Sequence, residues 1–214
     1  MKEKNMKLCI VGAGGLAKET LLIAIQLFNN QEIDYKNNTV FLVKDEDWSS
    51  DLIMNVPQVK ESDFDTEKYE VVVAIGDPVL RKKIVNKLPV NTKYTKLIHP
   101  KADVSEFVTI GDGVIIASGV IITCNVSIGK HVIIDRASTI GHDTKIYDYC
   151  HVSPLTSVSG NCIVKEQVYL GTGSLLRDGI FIVKNSIIGM GAVVVKNIKE
   201  KGTYIGSPAR KLDK

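Results

Sequence analysis

Aliphatic residues recur along the second half of the chain with a strict period of six. The series runs without a slip over about ninety residues. Its sixteen members are Val104, Ile110, Ile116, Ile122, Ile128, Ile134, Ile140, Ile146, Val152, Val158, Val164, Leu170, Leu176, Ile182, Ile188 and Val194. An amphipathic helix repeats every 3.6 residues and an exposed strand every two, so neither explains the pattern. A period of six is typical of a parallel β-helix built from hexapeptides, in which three hexads form one triangular coil.

A second series, four positions after each aliphatic residue, is almost entirely small or β-branched. It comprises Val108, Val114, Val120, Val126, Val132, Ser138, Thr144, Cys150, Thr156, Cys162, Val168, Ser174, Ile180, Ser186, Ala192 and Ile198. Such side chains suit a narrow interior in which each coil stacks on the next. We therefore expect a solenoid from about Ala102 to about Ile198, with both series inside and no long loop between coils.

The first hundred residues follow a different pattern, in which buried strands alternate with helices. Lys7–Val11 is predicted to be a strand, followed by a G-x-G-x-x-A turn and a helix to about Phe28. Glycines in such a turn let backbone N–H groups approach a phosphate at the helix N-terminus. The residues of the turn predicted to face a nucleotide are Gly12, Ala13, Gly14, Gly15 and Leu16.

Two further strands, 40–43 and 71–75, lead into Asp45 and Asp77, and 94–98 could form a fourth. The sequence therefore predicts a Rossmann-like α/β domain over residues 1–98 and a parallel β-helix with a C-terminal cap over 99–214. NAD is the poorer ligand for the first domain, since Asp45 lies 33 residues after Gly12 rather than about 20. Lys44 or Arg81 could assist in binding a diphosphate.

Composition indicates the class and cellular compartment of the protein more than its function. With 24% charged residues and a formal charge of +3, the 214-residue chain resembles an ordinary soluble protein, and nothing indicates a nucleic-acid partner. The four cysteines lack CxxC spacing, which favours buried thiols in a cytoplasmic protein over disulfides or a metal site. Residues 1–7 contain no long apolar run and no segment approaches 18 apolar residues, so we expect neither secretion nor membrane insertion.

One histidine stands out as a candidate base. His142 is followed by Asp143, a carboxylate that could orient its imidazole. Gly160 follows His142 by three hexads, so it occupies the same corner one coil further along. A glycine there leaves room above the imidazole and exposes a backbone N–H for an oxyanion. His99 and His131 are expected to be structural or solvated.

The glycine turn, the hexapeptide solenoid, the segment 140–152 (IGHDTKIYDYCHV) and the ending 206–212 (GSPARKL) together resemble the sugar acyltransferases related to sialic-acid O-acetyltransferase. That group includes N-acetyltransferases of nucleotide-linked 4-amino-4,6-dideoxysugars of the bacillosamine and perosamine type. The resemblance implies a left-handed β-helix, a homotrimer, acetyl-CoA as co-substrate between neighbouring solenoids, no metal, and a nucleotide sugar on the N-terminal domain.

The resemblance also implies roles for individual residues. His142 would be the general base, Asp143 its orienting acid, and the Gly160 N–H the oxyanion donor. Acetyl-CoA would contact His151, Thr172, Met190 and Gly191, while the nucleotide sugar would contact residues 12–16, Asp45, Asp77 and Asp135. Two positions depart from the family: Leu16 replaces a common histidine, and Asp135 stands where we expect asparagine. Asp135 would either accept from a sugar amine or be a solvated corner residue.

The leading hypothesis is transfer of an acetyl group to the amine of a nucleotide-linked 4-amino-4,6-dideoxyhexose in bacterial surface-glycan synthesis. An O-acetyltransferase acting on a sialic acid or related hydroxyl is the alternative. Two further alternatives belong to other classes of protein. A γ-type carbonic anhydrase would need three zinc-binding histidines, and a nucleotide-sensing or scaffolding solenoid would show no turnover with any acyl-CoA.

His142 and His151 lie half a coil apart, and so project from different sides of the solenoid. We therefore expect active sites shared between subunits.

Overall fold

The computed structural model describes residues 6–212, so most of the N-terminal segment in which we expect no secretion signal lies outside it. The N-terminal part holds five strands, β1 (Lys7–Val11), β2 (Thr39–Val43), β3 (Gln58–Lys60), β4 (Tyr69–Val73) and β5 (Lys93–Tyr94). Three α-helices accompany them, α1 (Gly15–Asn30), α2 (Tyr35–Asn38) and α3 (Pro78–Val85). Short 3₁₀ turns span Asp45–Asp47 and Glu61–Asp63. All strand pairs are parallel, in the order β3-β2-β1-β4-β5, which confirms the Rossmann-like domain.

The remaining strands form a triangular solenoid with three sheets, and between Leu97 and Val194 the partners within each sheet are three hexads apart along the chain. One sheet, here the covered face, contains Leu97–Ile98, Ile115–Ile116, Ile133–Ile134, His151–Val152, Tyr169–Leu170, Ile187–Ile188, Thr203–Ile205 and Arg210–Lys211. The second face contains Asp103–Val104, Ile121–Ile122, Thr139–Ile140, Ser157–Val158, Leu175–Leu176 and Val193–Val194. The third face contains Thr109–Ile110, Ser127–Ile128, Lys145–Ile146, Ile163–Val164 and Phe181–Ile182.

The solenoid interior is the one that the six-residue period predicts. From Ile116 to Val194 every aliphatic of the first series is at most 4% exposed, and only the two at the open end, Val104 and Ile110, are half-buried. The second series is equally buried from Val114 to Ile198. No loop interrupts the coils.

The solenoid begins earlier and ends later than predicted. Leu97–Ile98 pairs with Ile115–Ile116 on the covered face rather than continuing β5, so the two sheets separate between Tyr94 and Leu97. At the other end, Thr203–Ile205 adds a parallel strand and Arg210–Lys211 an antiparallel one. The antiparallel strand caps the last coil. The short edge strand β3 was also absent from the prediction.

The N-terminal domain packs on the covered face. Outward side chains of that face, Leu97, Ile115 and Ile133, share an apolar cluster with Leu8 and Leu21 of the N-terminal domain. Arg81 on α3 is fully buried at this junction. Its guanidinium donates to five carbonyl oxygens, those of Ile75, Gly76, His131, Tyr149 and Cys150. Two of these belong to the N-terminal domain and three to the solenoid, so one side chain joins both parts.

His131 lies in the same junction, packed between the rings of Tyr94 and Tyr149. It is 3% exposed, and its Nδ1 makes no hydrogen bond within the described residues. Burial, with a smaller effect of the nearby Arg81 cation, lowers the pKa of His131 from 6.5 to about 4. The imidazole is therefore structural and neutral at physiological pH.

This shift predicts a loss of stability in acid. Between pH 6.5 and 4 the unfolded chain binds a proton at His131 that the folded chain does not, so stability falls as the pH falls through this range. The full contribution is roughly 3 kcal/mol. Denaturant unfolding at pH 7, 5.5 and 4 and at one fixed protein concentration should show this loss in the wild type, and His131→Phe should remove it. An unchanged pH dependence in the variant would assign the effect to another group.

Candidate active site

His142 lies at the corner where the second face turns into the third face. Thr139–Ile140 ends the strand before this corner and Lys145–Ile146 begins the next one. The following residue, Asp143, adopts a left-handed backbone conformation with φ 59°. Aspartate is among the few non-glycine residues that tolerate this conformation. The corner therefore places the two side chains next to each other on the outside of the solenoid.

His142 and Asp143 form the predicted pair. The Nδ1 of His142 lies 2.9 Å from Oδ2 of Asp143. The hydrogen bond from His142, and a weaker one from Asn125 one coil earlier, hold the pKa of the Asp143 carboxyl below its ordinary value. Because an ionised carboxylate only accepts, Nδ1 carries the proton and the lone pair of a neutral imidazole is on Nε2. The ring is thus oriented to accept a proton at Nε2.

Gly160 lies directly against the His142 ring. A Cβ on this residue would lie 2.5 Å from Nε2 and 2.5 Å from Cε1, so no other residue fits without moving the imidazole. The Gly160 N–H donates to no backbone or side-chain oxygen of the described chain. Gly160 therefore offers a free backbone N–H next to the residue that would act as the base, and such an N–H can stabilise an oxyanion.

His151 and Asp135 occupy different positions from those implied by the resemblance. His151 is 5% exposed and lies on the covered face beneath the N-terminal domain. Its Nδ1 lies 2.8 Å from the Gly76 carbonyl and its Nε2 3.0 Å from Asp135 Oδ2. The Gly76 carbonyl can only accept, so Nδ1 donates and a second proton lies between Nε2 and Asp135. Neither nitrogen is free for an acetyl group, and Asp135 is neither solvated nor open to a sugar amine.

The glycine turn opens into a cleft of about 1060 Å³ in the N-terminal domain. Gly12, Ala13, Gly14, Lys44 and Asp45 line it, whereas Gly15 and Leu16 do not line it and lie in the first residues of α1. Asp45 accepts from the Ser62 N–H at 3.0 Å, which lowers the pKa of its carboxyl.

Four residues near this cleft differ from expectation. Asp77 does not line the cleft but caps α3, accepting from the Leu80 N–H at 2.8 Å. Arg81 is buried in the domain junction and cannot reach a diphosphate. Lys83 and Lys87, which the sequence reasoning missed, line the cleft with exposed side chains. Lys83 lies in the last turn of α3 and Lys87 in the turn that follows this helix.

The other predicted contacts of acetyl-CoA lie away from His142 within one chain. Thr172, Met190 and Gly191 are at the corner between the covered face and the second face, and Met190 is 81% exposed. His142 is at the opposite end of the second face. The cleft lined by the glycine turn belongs to the domain on the covered face, which lies across the solenoid from the His142 corner. One chain therefore holds the parts of the site on separate sides.

Within residues 6–212 no group of three histidine, cysteine or acidic side chains is arranged to hold a metal ion. Nor does any helix in that range have the length and apolar character needed to cross a bilayer.

Comparison with known proteins matches both parts of the chain. The family described as the PglD N-terminal domain matches residues 7–88. GDP-perosamine N-acetyltransferase of Escherichia coli O157:H7 is 29% identical over 181 residues, which cover 80% of this chain and 78% of that protein.

Two solved structures match nearly the whole chain. A variant of the Caulobacter crescentus perosamine N-acetyltransferase, in complex with CoA and GDP-perosamine, has a TM-score of 0.86, 27% identity and 97% coverage of both chains. The acetyltransferase domain of PglB from Neisseria gonorrhoeae, in complex with acetyl coenzyme A, has a TM-score of 0.86 and 27% identity, with coverage of 97% of this chain and 100% of that one. These matches together span both parts of the chain and support a hexapeptide-repeat nucleotide-amino-sugar N-acetyltransferase.

Proposed function

We propose that the protein transfers the acetyl group of acetyl-CoA to the amine of a nucleotide-linked 4-amino-4,6-dideoxyhexose, in the cytoplasm and for bacterial surface-glycan synthesis. The observation that carries the proposal is the His142–Asp143 pair, whose free Nε2 lies against Gly160 in a solenoid joined to a PglD-type domain. The perosamine N-acetyltransferase with CoA and GDP-perosamine supports the pairing of these two substrates.

His142 acts as general base. The neutral amine attacks the thioester carbonyl while Nε2 takes a proton from the amine nitrogen, and Asp143 stabilises the resulting imidazolium. The Gly160 N–H donates to the oxyanion of the tetrahedral intermediate, which collapses with loss of CoA thiolate. His151 takes no part as a base or acetyl ligand, because both of its nitrogens are engaged at the domain junction.

The cleft of the N-terminal domain holds the nucleotide diphosphate. The backbone N–H groups at Gly12–Gly14 and the N-terminus of α1 carry partial positive charge toward the phosphates. Lys83 and Lys87 add two cations to the same cleft. Asp45 faces the nucleoside part, where its carboxylate can accept from hydroxyl or ring N–H groups.

The active site is shared in a homotrimer. Since the nucleotide cleft and the His142 corner lie on different sides of one chain, a sugar held by one subunit is acetylated at the His142 corner of its neighbour. The pantetheine arm runs between the same two solenoids, along Thr172, Met190 and Gly191. The monomer is accordingly inactive.

A substrate panel tests the proposed reaction. Purified protein with acetyl-CoA is offered UDP-, dTDP- and GDP-linked 4-amino-4,6-dideoxyhexoses, their 4-hydroxyl counterparts and sialic acid, and CoA release is followed together with the mass of the product. We expect one or more amino sugars to gain an acetyl group on nitrogen. Transfer to sialic acid or to a sugar hydroxyl alone would establish the O-acetyltransferase instead, and no turnover with any acceptor would favour a sensing or scaffolding role.

A further inference from the structure

Asp178 lies at the His142 corner, two coils further along the solenoid. His142, Gly160 and Asp178 follow one another at intervals of one full coil, and the neighbouring strands Thr139–Ile140, Ser157–Val158 and Leu175–Leu176 pair in the same register. The three residues therefore stack in one column on the outside of the molecule. The side chain of Asp178 is exposed.

The carboxylate of Asp178 and the imidazole of His142 meet over Gly160. A Cβ on Gly160 would lie 2.5 Å from His142 Nε2 and 2.9 Å from Asp178 Oδ2. The distance between the two atoms therefore cannot exceed the sum of these two separations. In the described part of the chain Asp178 accepts one long hydrogen bond, from Asn161 Nδ2 at 3.3 Å, and makes no ion pair. His142 Nε2 and Asp178 Oδ2 can therefore both accept a hydrogen bond from an amine nitrogen placed at Gly160.

We propose that Asp178 is a specificity-determining residue that selects an amine over a hydroxyl as the acetyl acceptor. This inference rests on the proposed function. Two acceptors separated by no more than twice a hydrogen-bond length can both bind one nitrogen, at ordinary lengths of about 2.7–3.2 Å. An ammonium or amine has several N–H donors and can satisfy both His142 and Asp178. A hydroxyl has one donor and leaves the carboxylate unpaired.

The same arrangement accounts for the protons of the reaction. An aliphatic amine enters largely as the ammonium ion, which Asp178 binds through its charge. The ammonium gives one proton through His142 Nε2 to water, which frees the nitrogen lone pair. The C–N bond then forms, Nε2 takes the second proton from the attacking nitrogen, the C–S bond breaks and the thiolate receives that proton. The products are the amide, CoA and one released proton.

Asp178→Asn tests the proposal with little disturbance of the fold. The amide keeps the volume of the side chain and an oxygen for Asn161 but loses the charge. Glu106→Gln is the matched control, because Glu106 lies in the same column two coils before His142 and is also exposed. For each protein we would measure kcat and KM for the amino sugar, KM for acetyl-CoA, and competitive inhibition by the 4-hydroxyl counterpart of the same nucleotide sugar.

For Asp178→Asn we expect kcat/KM for the amino sugar to fall on the order of 10- to 10²-fold, mainly through KM. Inhibition by the hydroxyl compound and KM for acetyl-CoA should stay unchanged, and Glu106→Gln should match the wild type in every measurement. Equal losses for amine and hydroxyl ligands, a raised KM for acetyl-CoA, or wild-type kinetics would overturn the assignment of Asp178 alone. Acetylation of the hydroxyl compound but not of the amine by the wild type would overturn the proposed function as well.

Discussion

Replacement of His142 by alanine is expected to lower the rate of acetyl transfer by about 10²- to 10⁴-fold. The reason is that Nε2 is the free basic nitrogen at the Gly160 N–H, whereas the other nitrogen is held by Asp143 at 2.9 Å. An alanine leaves the Gly160 N–H in place, so some rate above the uncatalysed reaction should remain. The measurement is kcat with a saturating amino sugar and acetyl-CoA, and the loss should appear in kcat rather than in either KM.

His99→Ala is the control for this experiment, because it removes an imidazole at the start of the solenoid, far from the His142 corner. It should turn over like the wild type. Near-normal turnover in a correctly folded His142→Ala protein would show that another group accepts the proton.

His142→Ala also tests whether the active site is shared between subunits. Gly14→Asp should block the nucleotide cleft without unfolding the domain, because nothing lies within 4 Å of a Cβ at this position and aspartate is a favourable N-cap for α1. Its carboxylate repels the diphosphate. When His142→Ala and Gly14→Asp subunits exchange, some interfaces combine an intact cleft with an intact histidine, and part of the activity should return. Exchange without recovery would show that each chain uses its own cleft and histidine.

The six-residue period predicts the solenoid accurately, because the position of a residue within the repeat determines whether its side chain is buried. Each coil stacks on the next, so a residue such as Ile140 meets Ile122 and Val158, and its environment follows from the residues one coil before and after it. The same arithmetic places Gly160 against His142, and one further step along the chain would have found Asp178. This part of the site was therefore predictable from the sequence.

The domain junction was not predictable in this way. His151 and Asp135 occupy positions that point outward from the solenoid, and the repeat alone makes them solvent-exposed. They are buried because the N-terminal domain packs on that face, and no local period encodes where a second domain docks. Arg81 shows the same limit, since a cation on a helix beside a glycine turn suggests phosphate binding, yet its partners are carbonyl oxygens from both domains.

Arg81→Met should lower the free energy of unfolding by about 3–5 kcal/mol. The guanidinium is fully buried and donates to five carbonyl oxygens. Those of Gly76 and Cys150 also accept from His151 Nδ1 and the Ile133 N–H, but methionine would leave the carbonyls of Ile75, His131 and Tyr149 without a donor among the described residues. Burial lowers the pKa of Arg81 only to about 10, so the side chain remains a cation at neutral pH and the loss should vary little between pH 6 and 8. Denaturant unfolding at fixed protein concentration measures the effect.

Arg136→Met is the matched control for this prediction. Arg136 also connects the two domains, through an ion pair of 2.8 Å with Glu19 on α1, but the two side chains of this pair are each about half exposed. Exposed pairs of this kind contribute less than about 1 kcal/mol, so the control should remain close to the wild type. Arg81→Lys should fall between the two, because one ammonium has three donors and cannot reach carbonyls spread around a planar guanidinium. Equal stability of Arg81→Met and Arg136→Met would mean that apolar packing on the covered face, rather than Arg81, holds the N-terminal domain on the solenoid.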